Sequence, residues 1–450
     1  MKNAFKAFLT LPFAVIALSG CGGNVSSDPS TLKIAFVEAG YGRQFLLDWE
    51  EDYNRKNPDM PVKLELDGDA QMTQNILPRL QNRRNLPDIV MVLSTGWQPW
   101  SVEGYLEPID DIYETKVDGD KTVKESLLDN LETFGKVKDH YWALPWSCGP
   151  SGIVYNEGMF EQFGWDIPET YSELVALCEK IKSDSAGTIA PFSWSGSTSG
   201  YWDFLTFNWW AQVEGEEGWN TFWKFDSPAV YQQQGRLKAL EGFAGLVDGG
   251  DGAPKNSVPG AAGKKFMEAQ MSFVNGEAAM MPNGCWLETE MKNSLPAGFK
   301  MKLMKTPVID GAQDENISYN TCGDFMVIPA GASNKELAKK FLTYTCTKDA
   351  IDIFTKAAGG FRPFEYKPSE VEGISDFTKN CADIFESTTK VFMTSDNIMY
   401  YQNNCNSWPG YGTPYSKMIQ DQDSPEDVHL SCFNYVSSNW KLFQAAAGEF

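Results

Sequence analysis

The stretch that decides the fold runs from residue 32 to residue 53, LKIAFV followed by EAGYGRQFLLDWEEDY. Leu32 to Val37 is a short apolar run and reads as a buried strand. Phe45, Trp49 and Tyr53 then recur four residues apart with Leu46 beside them, which places all four on one helical face. Asn57-Pro58 ends that helix, because proline pushes the residue before it out of the helical region. Val62 to Leu66 reads as a second strand. Asp67-Gly68-Asp69 turns into a helix around Thr73 to Asn82, and Ile89 to Leu93 is a third strand running into Ser94-Thr95-Gly96-Trp97. Alternation of this kind implies parallel βαβ units. Ligands of such sheets sit beyond the carboxyl ends of the strands. The loops beginning at Glu38, Asp67 and Ser94 therefore share one rim.

Upstream, Lys2 and Lys6 precede an apolar run from Ala7 to Leu18 that Pro12 interrupts and that is too short for a permanent span. It ends in Leu18-Ser19-Gly20-Cys21, which resembles the lipobox of bacterial lipoproteins. The resemblance implies a signal peptide over 1–20 and a diacylated Cys21 as the new N-terminus. Two acyl chains hold a protein at a membrane where one does not. Residues 21–30, rich in Gly, Ser, Asn and Asp, read as a flexible tether. The chain carries 38 Lys+Arg against 60 Asp+Glu, a net charge of -22. Loss of Lys2 and Lys6 with the leader leaves 36 against 60, or -24. Such an excess of acid argues against nucleic acid as a partner, since phosphate needs positive charge to meet it.

Downstream, Tyr141 to Pro145 reads as a strand leaving the first unit. Thr170 and Glu173 form a capping box ahead of the helical face Leu174, Leu177, Cys178 and Ile181. Residues 192–225 are crowded with aromatics. Trp209, Trp210, Phe222 and Trp223 there lie on apolar helical faces and are expected in the core. Phe325 to Pro329 reads as a strand, and Ala338 to Thr345 and Ala350 to Ala357 as helices. Beyond Cys21 the chain has eight cysteines and no C-x-x-C pair, so zinc is not indicated. Outside the cytoplasm an even number suggests disulfides, with the pairing left open; Cys178 reads as a buried hydrophobe instead.

Taken in order, Leu86-Pro87-Asp88-Ile89-Val90, Trp142-Ala143-Leu144-Pro145, Gly152-Ile153-Val154-Tyr155-Asn156, Phe273 to Met280, Gly284-Cys285-Trp286 and Phe325 to Pro329 resemble the extracellular solute-binding proteins of carbohydrate ABC importers, the maltose-binding-protein group. The resemblance covers about residues 1–365, and Cys322 stands where that family usually has a glycine. It implies an α/β fold of two lobes, the class II periplasmic-binding-protein-like fold, each lobe a sheet flanked by helices with hinge strands between. The implied lobes are 31–146 plus 311–350, and 147–310 plus 351–450. It further implies a monomer on the extracytoplasmic face of the cell membrane, attached only through its lipid, that delivers a sugar to ABC permease subunits without a cofactor.

Sugars present flat C–H faces and a belt of hydroxyls, which suit aromatic rings and polar groups in turn. The aromatic and rim candidates for ligand contact are Tyr41, Thr95, Trp97, Trp146, Trp194, Tyr201 and Trp286. Asn283 and the charged Glu38, Asp69, Asp324 and Arg362 complete the set. Trp286 matches the family position that stacks on the sugar ring, while Arg362 is also placed to brace its own turn. Tyr400, Tyr401 and Trp408 with Asn403, Asn404 and Asn406 form a late polar-aromatic cluster. The only histidines are His140 and His429, and no nucleophile elbow, H-E-x-x-H pair or phosphate loop is present. A glycoside hydrolase needs only two carboxylates, and an aromatic cage suits a quaternary ammonium solute. Both stand as alternatives to saccharide capture. Asp421 to Asp427 reads as a solvated acidic loop rather than a metal site.

Overall fold

The structure is a computed structural model that describes residues 28–69, 72–93, 96–129, 131, 133–393, 395, 397, 399–400 and 407–448. The leader, Cys21, most of the tether and Thr95 lie outside the described residues. The strands are β1 (Thr31–Phe36), β2 (Lys63–Gly68), β3 (Ile89–Val92), β4 (Lys136–Val137), β5 (His140–Tyr141), β6 (Ala143–Asn156), β7 (Ala190–Phe192), β8 (Ala278–Gly284), β9 (Met301–Leu303), β10 (Ile317–Val327) and β11 (Thr389–Phe392). The opening stretch folds as its pattern requires. β1 pairs in parallel with β2 and β3, and the helix Gln44–Lys56 turns Phe45, Leu46, Trp49 and Tyr53 inward.

Nine strands form one sheet in the order β2-β1-β3-β10-β6-β8-β7, with β11 on β10 and β9 on β6. Two long strands carry the sheet across the molecule. β6 pairs through Ala143 to Pro150 with β10, then through Ser151 to Tyr155 with β8. β10 pairs with β3 at its end and with β11 at its start. All fourteen residues of β6 are buried, as a strand covered on both faces must be. Phe361 exchanges backbone hydrogen bonds with Cys148 at 2.8 and 2.9 Å, so a third segment lies against the middle of β6.

The apolar residues divide into two clusters. One holds β1, β3, the helix Gln44–Lys56 and Phe325 to Ile328; the other holds Trp194, Trp202, Trp209, Trp210, Trp219, Phe222 and Trp223. Trp209, Trp210, Phe222 and Trp223 are thus core residues, as their helical setting suggests. The division differs from a cut at residue 351. Phe354, Phe361, Phe364 and Phe385 pack in the first cluster, whereas Trp408, Tyr415, Val428 and Cys432 pack in the second. The reason is amphipathic packing: the helix Lys348–Ala358 lays Phe354 against Phe45 and Trp49.

Candidate functional site

A cavity of about 680 Å³ opens where β6 and β10 cross from one core to the other. Its lining comes from distant segments: Gly40 and Tyr41 after β1, then Tyr201, Asp203, Phe204 and Phe207, Trp286 and Glu290 after β8, Tyr319 and Asp324 on β10, and Tyr400, Ser407, Trp408 and Gly412. Trp286 anchors the aromatic wall. Its ring stands edge-on to Phe204 at 5.1 Å and to Tyr41 at 6.4 Å, and Tyr201 lies 5.1 Å from Phe204. Edge-on pairs of this kind fix ring orientation. One glycine lets the indole lie there: at Gly284 a Cβ would sit 2.1 Å from Trp286 Cζ3, so any side chain would push the ring away. Gly40 is glycine for its left-handed φ of +60°, and the indole passes it at ordinary contact distance.

Three carboxylates share the cavity. Asp324 faces it because the β6–β10 register shifts between Thr321 and Asp324; such irregularities re-aim side chains beside sites. The Ser147 hydroxyl donates to Asp324 Oδ2. Asp203 begins the helix Asp203–Lys224, where a negative charge suits the helix N-terminus. Trp408 Nε1 donates to its Oδ1 at 2.9 Å, and the Tyr415 hydroxyl donates to the same oxygen. Burial nonetheless pushes the Asp203 carboxyl up to about 6. Glu290 accepts from Gln270 Nε2 at 2.7 Å and from the Gly40 amide at 3.3 Å, and burial raises its carboxyl too.

Of the residues singled out from sequence, Tyr41, Tyr201, Trp286 and Asp324 line the cavity together. The others are placed elsewhere, for physical reasons. Glu38 is an exposed partner of Arg43, and Asp69 accepts from Asn75 Nδ2 at 2.7 Å. Trp97 turns into the core against Phe325, 5.4 Å between rings. Trp146 stacks on Phe45 at 5.7 Å. Trp194 packs on Trp202 and donates to Ser257 Oγ at 2.9 Å. Its Ser/Gly-rich surroundings are folded inward, which corrects the expectation of a rim position. Asn283 is fully buried in β8, a strand covered on both faces. Arg362 is also fully buried and braces rather than faces the cleft. Its guanidinium donates to the carbonyls of Trp146 and Thr345 and stands 5.4 Å from the Trp49 ring centre.

Sequence reasoning passed over Asp203, Phe204, Tyr319 and Glu290. Glu290 carried a signal: it follows Trp286 by four residues, one helical turn, which puts both on one face. Asp203 and Phe204 follow Tyr201 directly. Tyr400 and Trp408 of the late aromatic cluster do reach the cavity; Tyr401, Asn403, Asn404 and Asn406 lie outside the described residues. Behind this wall Arg236 is fully buried with its guanidinium 4.6 Å from the Trp408 ring centre, and it donates to the Ser407 carbonyl. The cysteines are not paired among the described residues. Cys148, Cys178, Cys285, Cys322, Cys346, Cys381 and Cys432 are buried free thiols, and Cys405 lies outside those residues.

Known proteins are similar to this chain in sequence and in fold. The chain is 23% identical over 384 residues to the multiple sugar-binding protein of Streptococcus mutans, covering 83% of this chain and 82% of that one. It is 25% identical over 381 residues to the diacetylchitobiose binding protein NgcE of Streptomyces coelicolor, covering 81% and 74%. Among solved structures, the GacH receptor of Streptomyces glaucescens superposes with a TM-score of 0.68 at 15% identity, covering 91% and 97%. RafE in complex with raffinose gives 0.64 at 17% identity, covering 90% and 99%. The likeness to the solved receptors establishes the fold as the two-lobed α/β architecture of periplasmic binding proteins. The sequence model of the bacterial extracellular solute-binding proteins matches residues 31–350, and the chain belongs to that family.

Proposed function

We propose that this protein is the substrate-binding component of an ABC importer and captures a saccharide, of oligosaccharide size, in the cleft between its lobes. The observation that carries this reading is the cavity of about 680 Å³ in which Trp286, Tyr201, Phe204 and Tyr41 stand beside Asp203, Glu290 and Asp324. Rings offer surfaces for the C–H faces of pyranoses, and carboxylates accept from their hydroxyls. Two relatives support the reading, a multiple sugar-binding protein and a diacetylchitobiose binding protein. Ligand bound between the lobes favours their closed arrangement, and the crossing strands β6 and β10 with the 360–362 segment serve as the hinge. The closed form then delivers its sugar to the permease. Cys21 anchors the monomer by lipid at the outer face of the membrane, and no turnover accompanies binding.

Thermal unfolding of the mature chain across a panel of mono- and oligosaccharides tests the reading. A ligand at a hundred times its dissociation constant stabilises by ~2.7 kcal/mol. A shift with at least one saccharide, recovered chemically unchanged, is expected. Silence toward every saccharide with a shift from betaine or choline would replace the reading with a cation binder. Release of smaller sugars would replace it with a hydrolase.

A further inference from the structure

Three carboxylates converge on the cleft from unrelated segments: Asp203 at a helix start, Glu290 one turn after Trp286, and Asp324 at the irregularity of β10. Among the described residues that line the cavity, every charged side chain is one of these three. Arg236 lies behind Trp408, where it donates to the Ser407 carbonyl and its charge partly offsets that of Asp203. Arg362 donates to backbone carbonyls of the crossing, and Arg43 pairs with Glu38.

We propose that the cleft selects its saccharide by charge, taking neutral sugars and sugars bearing a protonated amine and rejecting those bearing a carboxylate, phosphate or sulfate. This rests on the saccharide reading above. The chemistry is one of donors and acceptors. An ionised carboxylate only accepts, so it is satisfied by a hydroxyl, which donates once, or by an ammonium group, which donates three times. A uronate has no proton to offer, and its charge would meet fixed like charges in a partly desolvated site. The protein's own donors hold these carboxylates in place: Trp408 and Tyr415 on Asp203, Gln270 and the Gly40 amide on Glu290, Ser147 on Asp324. Burial already works against the charge of Asp203 and Glu290, so an incoming anion adds to an existing cost and a cation relieves it.

The test takes the tightest neutral oligosaccharide from the panel and titrates the mature protein calorimetrically at near-physiological salt. Two analogue series follow, one oxidised at C6 to a uronate and one aminated at C6, a single ring at a time. Oxidation of at least one ring is expected to weaken binding tenfold or more. The amine at that ring should bind at least as well as the parent. In Asp324→Asn and Glu290→Gln the uronate penalty should shrink severalfold, each variant's fold being checked by its unfolding transition. Uronates that bind as well as the parent at every ring would overturn the proposal, and the analogue series decides this without any variant. Absence of binding by every saccharide would remove the functional reading itself, and the charge rule with it.

Discussion

The indole of Trp286 lies across the backbone of Gly284, so that a Cβ on Gly284 would fall 2.1 Å from Cζ3 and 2.3 Å from Cη2 of the ring. Gly284→Ala therefore forces the ring off its seat between Tyr41 and Phe204. Overpacking of this kind costs typically about 1–3 kcal/mol. A lower unfolding midpoint and a weaker saccharide affinity are expected together; an alanine variant with unchanged affinity would show that the ring's seat is immaterial.

Trp286→Ala removes the ring and keeps the backbone. The fold should persist, because the indole is only partly buried and its neighbours belong to larger clusters. Saccharide affinity should fall at least tenfold, ~1.4 kcal/mol or more. Calorimetric titration beside a circular-dichroism melt separates loss of binding from loss of fold. Parental affinity in a folded variant would refute the stacking role.

Asp203 predicts a pH effect of defined sign. Its carboxyl is raised from the usual range to about 6 by burial. Between the unfolded value near 4 and the folded value near 6, the folded state holds the proton more tightly. Stability from this group is therefore present at low pH and falls as pH rises through that window. Asp203→Asn keeps an oxygen to accept from Trp408 and Tyr415 but does not ionise. The unfolding midpoint of the variant relative to the parent should climb between pH 4 and pH 6 and level off above. A difference that is flat with pH would contradict the burial of this charge.

The buried cysteines predict chemical inertness. Burial pushes the Cys178, Cys285 and Cys346 thiols up to about 12 and that of Cys432 up to about 11. The thiolate is the reactive form, so alkylation of the native protein at pH 8 should spare all seven described cysteines. Unfolding in denaturant should expose every one, as peptide mapping would read. A reductant should leave the unfolding midpoint where it was. A disulfide found between any two of the seven would overturn this account.

Much of the first half was legible because its signals are local. The four-residue spacing of Phe45, Trp49 and Tyr53 and the stop at Asn57-Pro58 report a helix whatever surrounds it, and the structure places it at Gln44–Lys56. β10 was only half legible: Phe325 to Val327 is apolar, but the strand starts at Ile317 because Ile317 to Asn320 pair with β11 and continue beside β6. Pairing between residues seventy or more apart leaves no local period to read.

The tryptophans mark the boundary most clearly. By itself, the sequence determined that Gly284-Cys285-Trp286 carries a ring at a strand end and that a βαβ sheet places its loops on one rim. It did not separate Trp286, which reaches the cavity, from Trp97, Trp146 and Trp194, which are buried against Phe325, Phe45 and Trp202. The tertiary structure alone decided that, and with it the company of Asp203, Glu290 and Asp324. Whether a ring meets solvent depends on which distant segments fold over it, and that is a property of the packed chain rather than of any stretch within it.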